Sequence, residues 1–198
     1  VEIIRTPAGE TVLDFGQNLT GRIRFRINGP KGSKVTLRHA EILHESGNFY
    51  NRNLANAKQQ VEYTLKGNGE QWQPIFAYMG FRYVSLDEWI GEIKLEDFEA
   101  VLIGSDFEKA GYFSCSNSSL NRLVHNVEWS MRDNFLDIPM DCPQRDGRLG
   151  WTGDAQIFIS TACFLGKVYP FFKKWLVDLA DSQHSDGSVP FTIPDVLA

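Results

Sequence analysis

The sequence predicts an α+β chain in two parts, an antiparallel β-sandwich over residues 1–108 followed by helices over residues 109–198. Three observations carry this. Before residue 108, apolar and polar residues alternate with a period of two, the mark of half-buried strands. Clusters containing Gly and Asn break that half into many short runs, as in antiparallel sandwiches. Beyond residue 112 the apolar spacing lengthens to three and four, the period of an amphipathic helix.

The elements follow in order. A strand is expected at 10–15. In "GRIRFRI" (21–27), Ile23, Phe25 and Ile27 share one face and Arg22, Arg24 and Arg26 the other. "NGPKGS" (28–33) is a turn cluster and "KVTLRHAEIL" (34–43) is expected to return as the partner strand, so that 21–43 forms a hairpin. Further strands are expected at 60–66, 71–76, 80–87 and 93–102. "KGNGE" (66–70) reads as a tight turn, with Gly67 and Gly69 free to take positive φ.

In the second part, Asn117 to Ser119 are cap residues, and Leu120, Leu123, Val124, Val127 and Met131 line one stripe of a helix. Pro139 ends it, because proline disfavours helix at the residue before it. Asp154 is expected to cap a second helix, "AQIFISTACFLG", which Gly166 closes. A third runs over 168–183, with Pro170 confined to its first turn.

Composition excludes several functions. A net charge of −5 argues against nucleic acid or an anionic membrane surface as partner, since both attract basic surfaces. No apolar run approaches the ~20 residues of a membrane helix, and no signal peptide opens the chain. The compartment stays open. Cys115, Cys142 and Cys163 are odd in number and lack metal-site spacing, so neither a disulfide framework nor a metal site is expected. Val1 in place of Met implies a chain cut from something longer.

The density of chemistry peaks in "DCPQRDGRLGWTGD" (141–154), a loop between the first two helices. Carboxylates accept hydrogen bonds from vicinal hydroxyls, and an indole face packs against the C–H face of a sugar. Arg145 and Arg148 are able to orient the carboxylates by charge-assisted bonds. The loop therefore suits sugar recognition on a fixed scaffold. Plainer roles stand beside this one: Asp154 serves equally as a cap, and Trp151 equally as core filler. Trp129 and Trp175 sit in helical stripes and read as core, Cys142 as a packed thiol, and His39, His44 and His125 as non-catalytic.

Extended to "DCPQRDGRLGWTGDAQ" (141–156), this segment resembles the signature of bacterial α-L-rhamnosidases, glycosidases that remove terminal L-rhamnose. "LDFGQNLTGRIRFRINGPKGSKVTLRHAEIL" and "FAYMGFRYVSL" resemble that family's β domain. The resemblance implies a β domain before an (α/α) toroid of six helical hairpins, and hydrolysis with inversion and without a cofactor. It implies that Asp141 and Asp154 bind rhamnose hydroxyls, that Trp151 lines the same subsite and that Arg145 supports it. One position departs. Where Gly147 stands the family carries a glutamate, the general acid. Asp146 is adjacent and is the substitute candidate, although its side chain is shorter and leaves in a different direction.

A six-hairpin toroid needs roughly 200 residues from ordinary helix and connection lengths. The residues after Ala110 supply three helices, so the toroid is incomplete and the family's general base is expected beyond residue 198. The expectation is thus a fragment of an α-L-rhamnosidase acting on rhamnose-containing glycosides, inactive by itself. The alternatives are a rhamnose-binding module that does not cleave, and a degenerate chain with neither function. Self-association is expected through apolar stripes carrying Leu120, Leu123, Phe171, Phe172 and Trp175.

Overall fold

The computed structural model describes residues 1–197. It divides into two compact units, residues 1–103 with 144–146, and residues 104–143 with 147–198.

The first unit is a seven-stranded antiparallel sheet: β1 (Glu2–Arg5), β2 (Thr11–Ile27), β3 (Lys34–Ala40), β4 (Gln60–Thr64), β5 (Glu70–Trp72), β6 (Met79–Asp87) and β7 (Phe98–Leu102). The strands expected at 10–15 and 21–27 are one continuous strand. A register shift between Asp14 and Leu19, with Gly16 at φ 75°, lets β2 bend without breaking. Its first half pairs with β1 and β6, and its second half with β7 and β5. β1 carried no alternation in sequence and is held by the short return through Gly9.

The hairpin expected over 21–43 does not form. The order is β1-β2-β6-β3-β4, so β6 lies between β2 and β3. The reason is burial. β6 is apolar enough to be covered along most of its length, and a strand of that kind belongs in the middle of a sheet. The tail of the run expected at 71–76 and the head of that at 93–102 lie outside the strands, and residues 95–97 form one 3-10 turn. Phe25 is the hub of the interior. Its ring meets Tyr63, Trp72 and Trp89 at 5.8, 5.7 and 5.7 Å, so β4, at the far end of the strand order, packs back over β2. That curl encloses the core expected of a sandwich.

The second unit holds three helices, α1 (Ser118–Asn134), α2 (Thr152–Leu165) and α3 (Tyr169–Asp181). The Asn117 side chain caps α1 by accepting from the amides of Ser119 and Leu120. After Asn134 the chain turns sharply through β8 (Phe135–Leu136) and β9 (Ile138–Pro139), with Asp137 at φ 65°. The expected cap of α2 is corrected: the N-cap is Trp151, and Asp154 lies in the first turn. Thr152 donates its amide to the Phe191 carbonyl and its hydroxyl bonds the same oxygen, which starts the helix before Asp154. There the Asp154 carboxylate still favours the helix dipole. Gly166 closes α2 as expected, and Pro170 sits in the first turn of α3.

The expected exposure of Phe171, Phe172 and Trp175 is also corrected. They are 9%, 5% and 4% exposed, and they form the core of this unit with Phe135, Met131 and Ile193. Phe135 stacks on Phe171 at 4.7 Å and 7°, and meets Phe172 edge-on. Phe135, which caps the C-terminal end of α1, supplies the ring on which Phe171 and Phe172 pack. Leu120 and Leu123 are exposed as expected, joined by Ile157 and Phe164 of α2.

Candidate active site

The charged loop leaves the β8–β9 turn and returns along the segment 190–193. Met140 bridges Gly150, and Trp151 bridges Thr192. Ile193 donates its amide to the Gly150 carbonyl at 2.8 Å. This backbone lacing holds both ends of the loop.

Between those ends lies a pocket of about 200 Å³, lined among others by Asn134, Asp141, Asp154 and Phe158. It is several times the roughly 30 Å³ share of one water. Asp141 comes from the start of the loop and Asp154 from the first turn of α2, so the turn and the helix together bring the two carboxylates onto one cavity. The Asp141 Oδ1 atom is buried and has no hydrogen-bond partner. A buried acceptor without a donor is costly, so this atom suits a donor supplied from outside the protein.

Gly147 stands beside Asp141. A Cβ built on Gly147 would lie 3.5 Å from Asp141 Oδ2 and 3.9 Å from Oδ1, ordinary contact distances. Its φ is outside the left-handed region. The backbone therefore has no need of glycine at 147. Gly150 is the opposite case: a Cβ there would fall 2.4 Å from the Ile193 carbonyl oxygen. Of the two glycines in this part of the loop, only Gly150 is required by close approach.

Trp151 is half-buried and donates its indole N–H to the Gly147 carbonyl at 2.8 Å. It is not among the residues lining the pocket. Arg145 and Asp146 group with the first unit, and both side chains are exposed. Among the described residues, neither enters an ion pair, so the charge-assisted bonds expected from Arg145 are not formed. Cys142 is buried, as a packed thiol should be, and Trp175 is core, its indole N–H donating to the Ile193 carbonyl. Among the described residues no group of three His, Cys, Asp or Glu side chains is arranged to hold a metal ion. Among the described residues no helix is long and apolar enough to cross a membrane. Sequence reading missed Asn134 as a lining residue; it lies in a helical stretch, and only the turn after α1 brings it to the pocket.

Comparison with known proteins defines first a class, a β domain joined to a glycosidase-type helical domain. Residues 4–104 match the model of the bacterial alpha-L-rhamnosidase concanavalin-like domain, and residues 108–198 that of the bacterial alpha-L-rhamnosidase 6 hairpin glycosidase domain. The chain belongs to the bacterial α-L-rhamnosidase family. It is 41% identical over 189 residues to an alpha-L-rhamnosidase of Streptomyces avermitilis, covering 95% of this chain and 18% of that protein. The native Aspergillus terreus rhamnosidase structure is 43% identical with a TM-score of 0.93, covering 98% of this chain and 23% of that one. The Streptomyces avermitilis enzyme complexed with L-rhamnose is 39% identical with a TM-score of 0.93, covering 98% and 19%. The chain thus spans about a fifth of the length of these relatives.

Proposed function

We propose that this chain forms part of the rhamnose subsite of an α-L-rhamnosidase, which hydrolyses terminal α-L-rhamnosyl bonds with inversion as a protein of the relatives' length. The observation that carries the reading is the placement of Asp141 and Asp154 on one pocket with Asp141 Oδ1 unpartnered. Both carboxylates accept hydrogen bonds from sugar hydroxyls. The resemblance adds Trp151 to this subsite, where its indole N–H holds the Gly147 carbonyl. Arg145 is left out, since it is exposed and, among the described residues, pairs with no carboxylate. The β domain of this reading ends at residue 108 and the helical domain follows.

Inverting hydrolysis needs a carboxylic acid to protonate the leaving oxygen and a carboxylate about 6.5–9.5 Å away to activate water. The family resemblance assigns the acid to position 147, where Gly147 supplies no proton, and the base to a segment outside these residues. Losing a general acid costs roughly 10²–10⁴ in rate. Asp146 is the remaining substitute. We therefore expect the 198-residue chain to be inactive. The test is incubation with an aryl α-L-rhamnoside. Release at the buffer rate is the expected result. Release well above it, abolished by Asp141→Ala, would overturn the inactivity and point to Asp146 as acid.

A second reading, a rhamnose-binding module without cleavage, is favoured by the same glycine. L-Rhamnose binding that Asp141→Ala weakens, together with persistent inactivity of a relatives'-length protein carrying Gly147→Glu, would select it.

A further inference from the structure

Asn134 ends α1 on the wall of the pocket that holds Asp141 and Asp154. Its Nδ2 donates to the Ser130 carbonyl at 2.8 Å. A carbonyl only accepts, so that bond settles which end of the amide is which. The other end, Oδ1, is buried and has no partner. The Asn134 carbonyl in turn accepts from the Met140 amide at 2.9 Å, which ties the end of α1 to the residue before Asp141. Two residues that line the pocket, Asn134 and Asp141, thus each hold a buried Oδ1 acceptor without a partner. Two unpaired acceptors on residues lining one cavity call for a ligand that brings at least two donors.

We propose that Asn134 is a specificity-determining residue of this subsite: its Oδ1 accepts from one ring hydroxyl of the sugar while Asp141 accepts from another, so that the pocket selects a polyhydroxylated ring. This rests on the sugar-binding reading above. An unpaired buried acceptor penalises a ligand lacking the matching hydroxyl by roughly tenfold or more in affinity.

The test is titration of a protein of the relatives' length with L-rhamnose and with its 2-, 3- and 4-deoxy analogues, for the wild type, Asp141→Asn, Asn134→Ala and Asn134→Leu, each checked for a native melting transition. The expected result is that the wild type binds L-rhamnose and rejects one deoxy analogue about tenfold or more. The Asn134 variants should bind that analogue and L-rhamnose alike. A merely structural asparagine would weaken all the sugars equally and leave the discrimination intact. That outcome, with Asp141→Asn still weakening L-rhamnose, overturns the role of Asn134 and leaves the sugar pocket standing. No binding of L-rhamnose by the wild type overturns both.

Discussion

Trp151 donates its indole N–H to the carbonyl oxygen of Gly147 at 2.8 Å. The aromatic residue of the loop is thereby tied to the position where the family resemblance places a glutamate. Because the acceptor is backbone, the bond does not depend on the side chain at 147. Trp151→Phe keeps the ring and removes the donor. It should cost about 1 kcal/mol of stability, the usual net worth of such a bond, and should weaken L-rhamnose binding by loosening the loop. Denaturant midpoints and sugar titration of the variant check both. An unchanged midpoint with unchanged binding would mean the bond does not organise the loop.

Gly147→Glu should fold, because a Cβ has room there and the backbone is not left-handed, with a modest cost from the like charge of Asp141. In a protein of the relatives' length, it should raise hydrolysis of natural rhamnosides by roughly 10²–10⁴, the worth of a general acid, with little change in rhamnose affinity. Aryl rhamnosides with good leaving groups need less protonation and should gain less. An unchanged rate on natural substrates, with rhamnose still bound, would show that 147 is not the acid position.

Gly150 should respond in the opposite sense. Its Cβ would meet the Ile193 carbonyl at 2.4 Å, and backbone cannot step aside cheaply. Gly150→Ala is expected to destabilise the chain by about 1–3 kcal/mol, as overpacking does, whereas Gly147→Ala should be near neutral. Thermal melts of the two alanine variants side by side decide this. Equal melting points would refute the distinction.

The helical unit exposes Ile157 and Phe164 at 81% and 80%, with Tyr169, Leu120 and Leu123 also uncovered. α2 is apolar around most of its circumference, a pattern suited to a helix covered on all sides. The isolated chain should therefore self-associate or bind a hydrophobic dye while its sheet stays folded. Sedimentation and dye fluorescence test this. A monodisperse monomer that binds no dye would show that the helices need no further cover. Phe171, Phe172 and Trp175 will not contribute, since they are already buried.

His39 gives the sheet unit an acid-sensitive point. It lies at 1% exposure with its ring 4.9 Å from Phe81, and its Nδ1 is 3.0 Å from the Gln59 carbonyl. That carbonyl requires a proton on Nδ1, leaving Nε2 as a buried acceptor without a partner. Burial pushes the imidazole down to about 4, and the Gln59 carbonyl opposes this only in part. The unfolded chain then binds the proton more readily than the folded one. The stabilising contribution is complete above pH about 6.5, declines as pH falls, and is gone below about 4. It is on the order of 3 kcal/mol. Denaturant melts at pH 7.5 and 4.5 should show this loss in the wild type and a smaller one in His39→Gln. Equal losses would remove His39 from the account.

The period-two runs of β2 and β3, the Asn117 cap, Gly166 and Pro170 were legible in the sequence because each is decided by neighbours a few residues away. The same holds for the loop at 141–154, whose composition and family resemblance point to sugar chemistry before any fold is known. Tertiary structure alone decided the rest. β6 displaces β3 from β2 because a strand covered along most of its length must sit inside a sheet, whatever its place in the chain. Phe171, Phe172 and Trp175 are buried because α3 packs against Phe135 at the end of α1. The meeting of Asn134, Asp141 and Asp154 on one pocket is tertiary too: they come from a helix end, a loop and the next helix, and only packing beyond the local sequence places them around it.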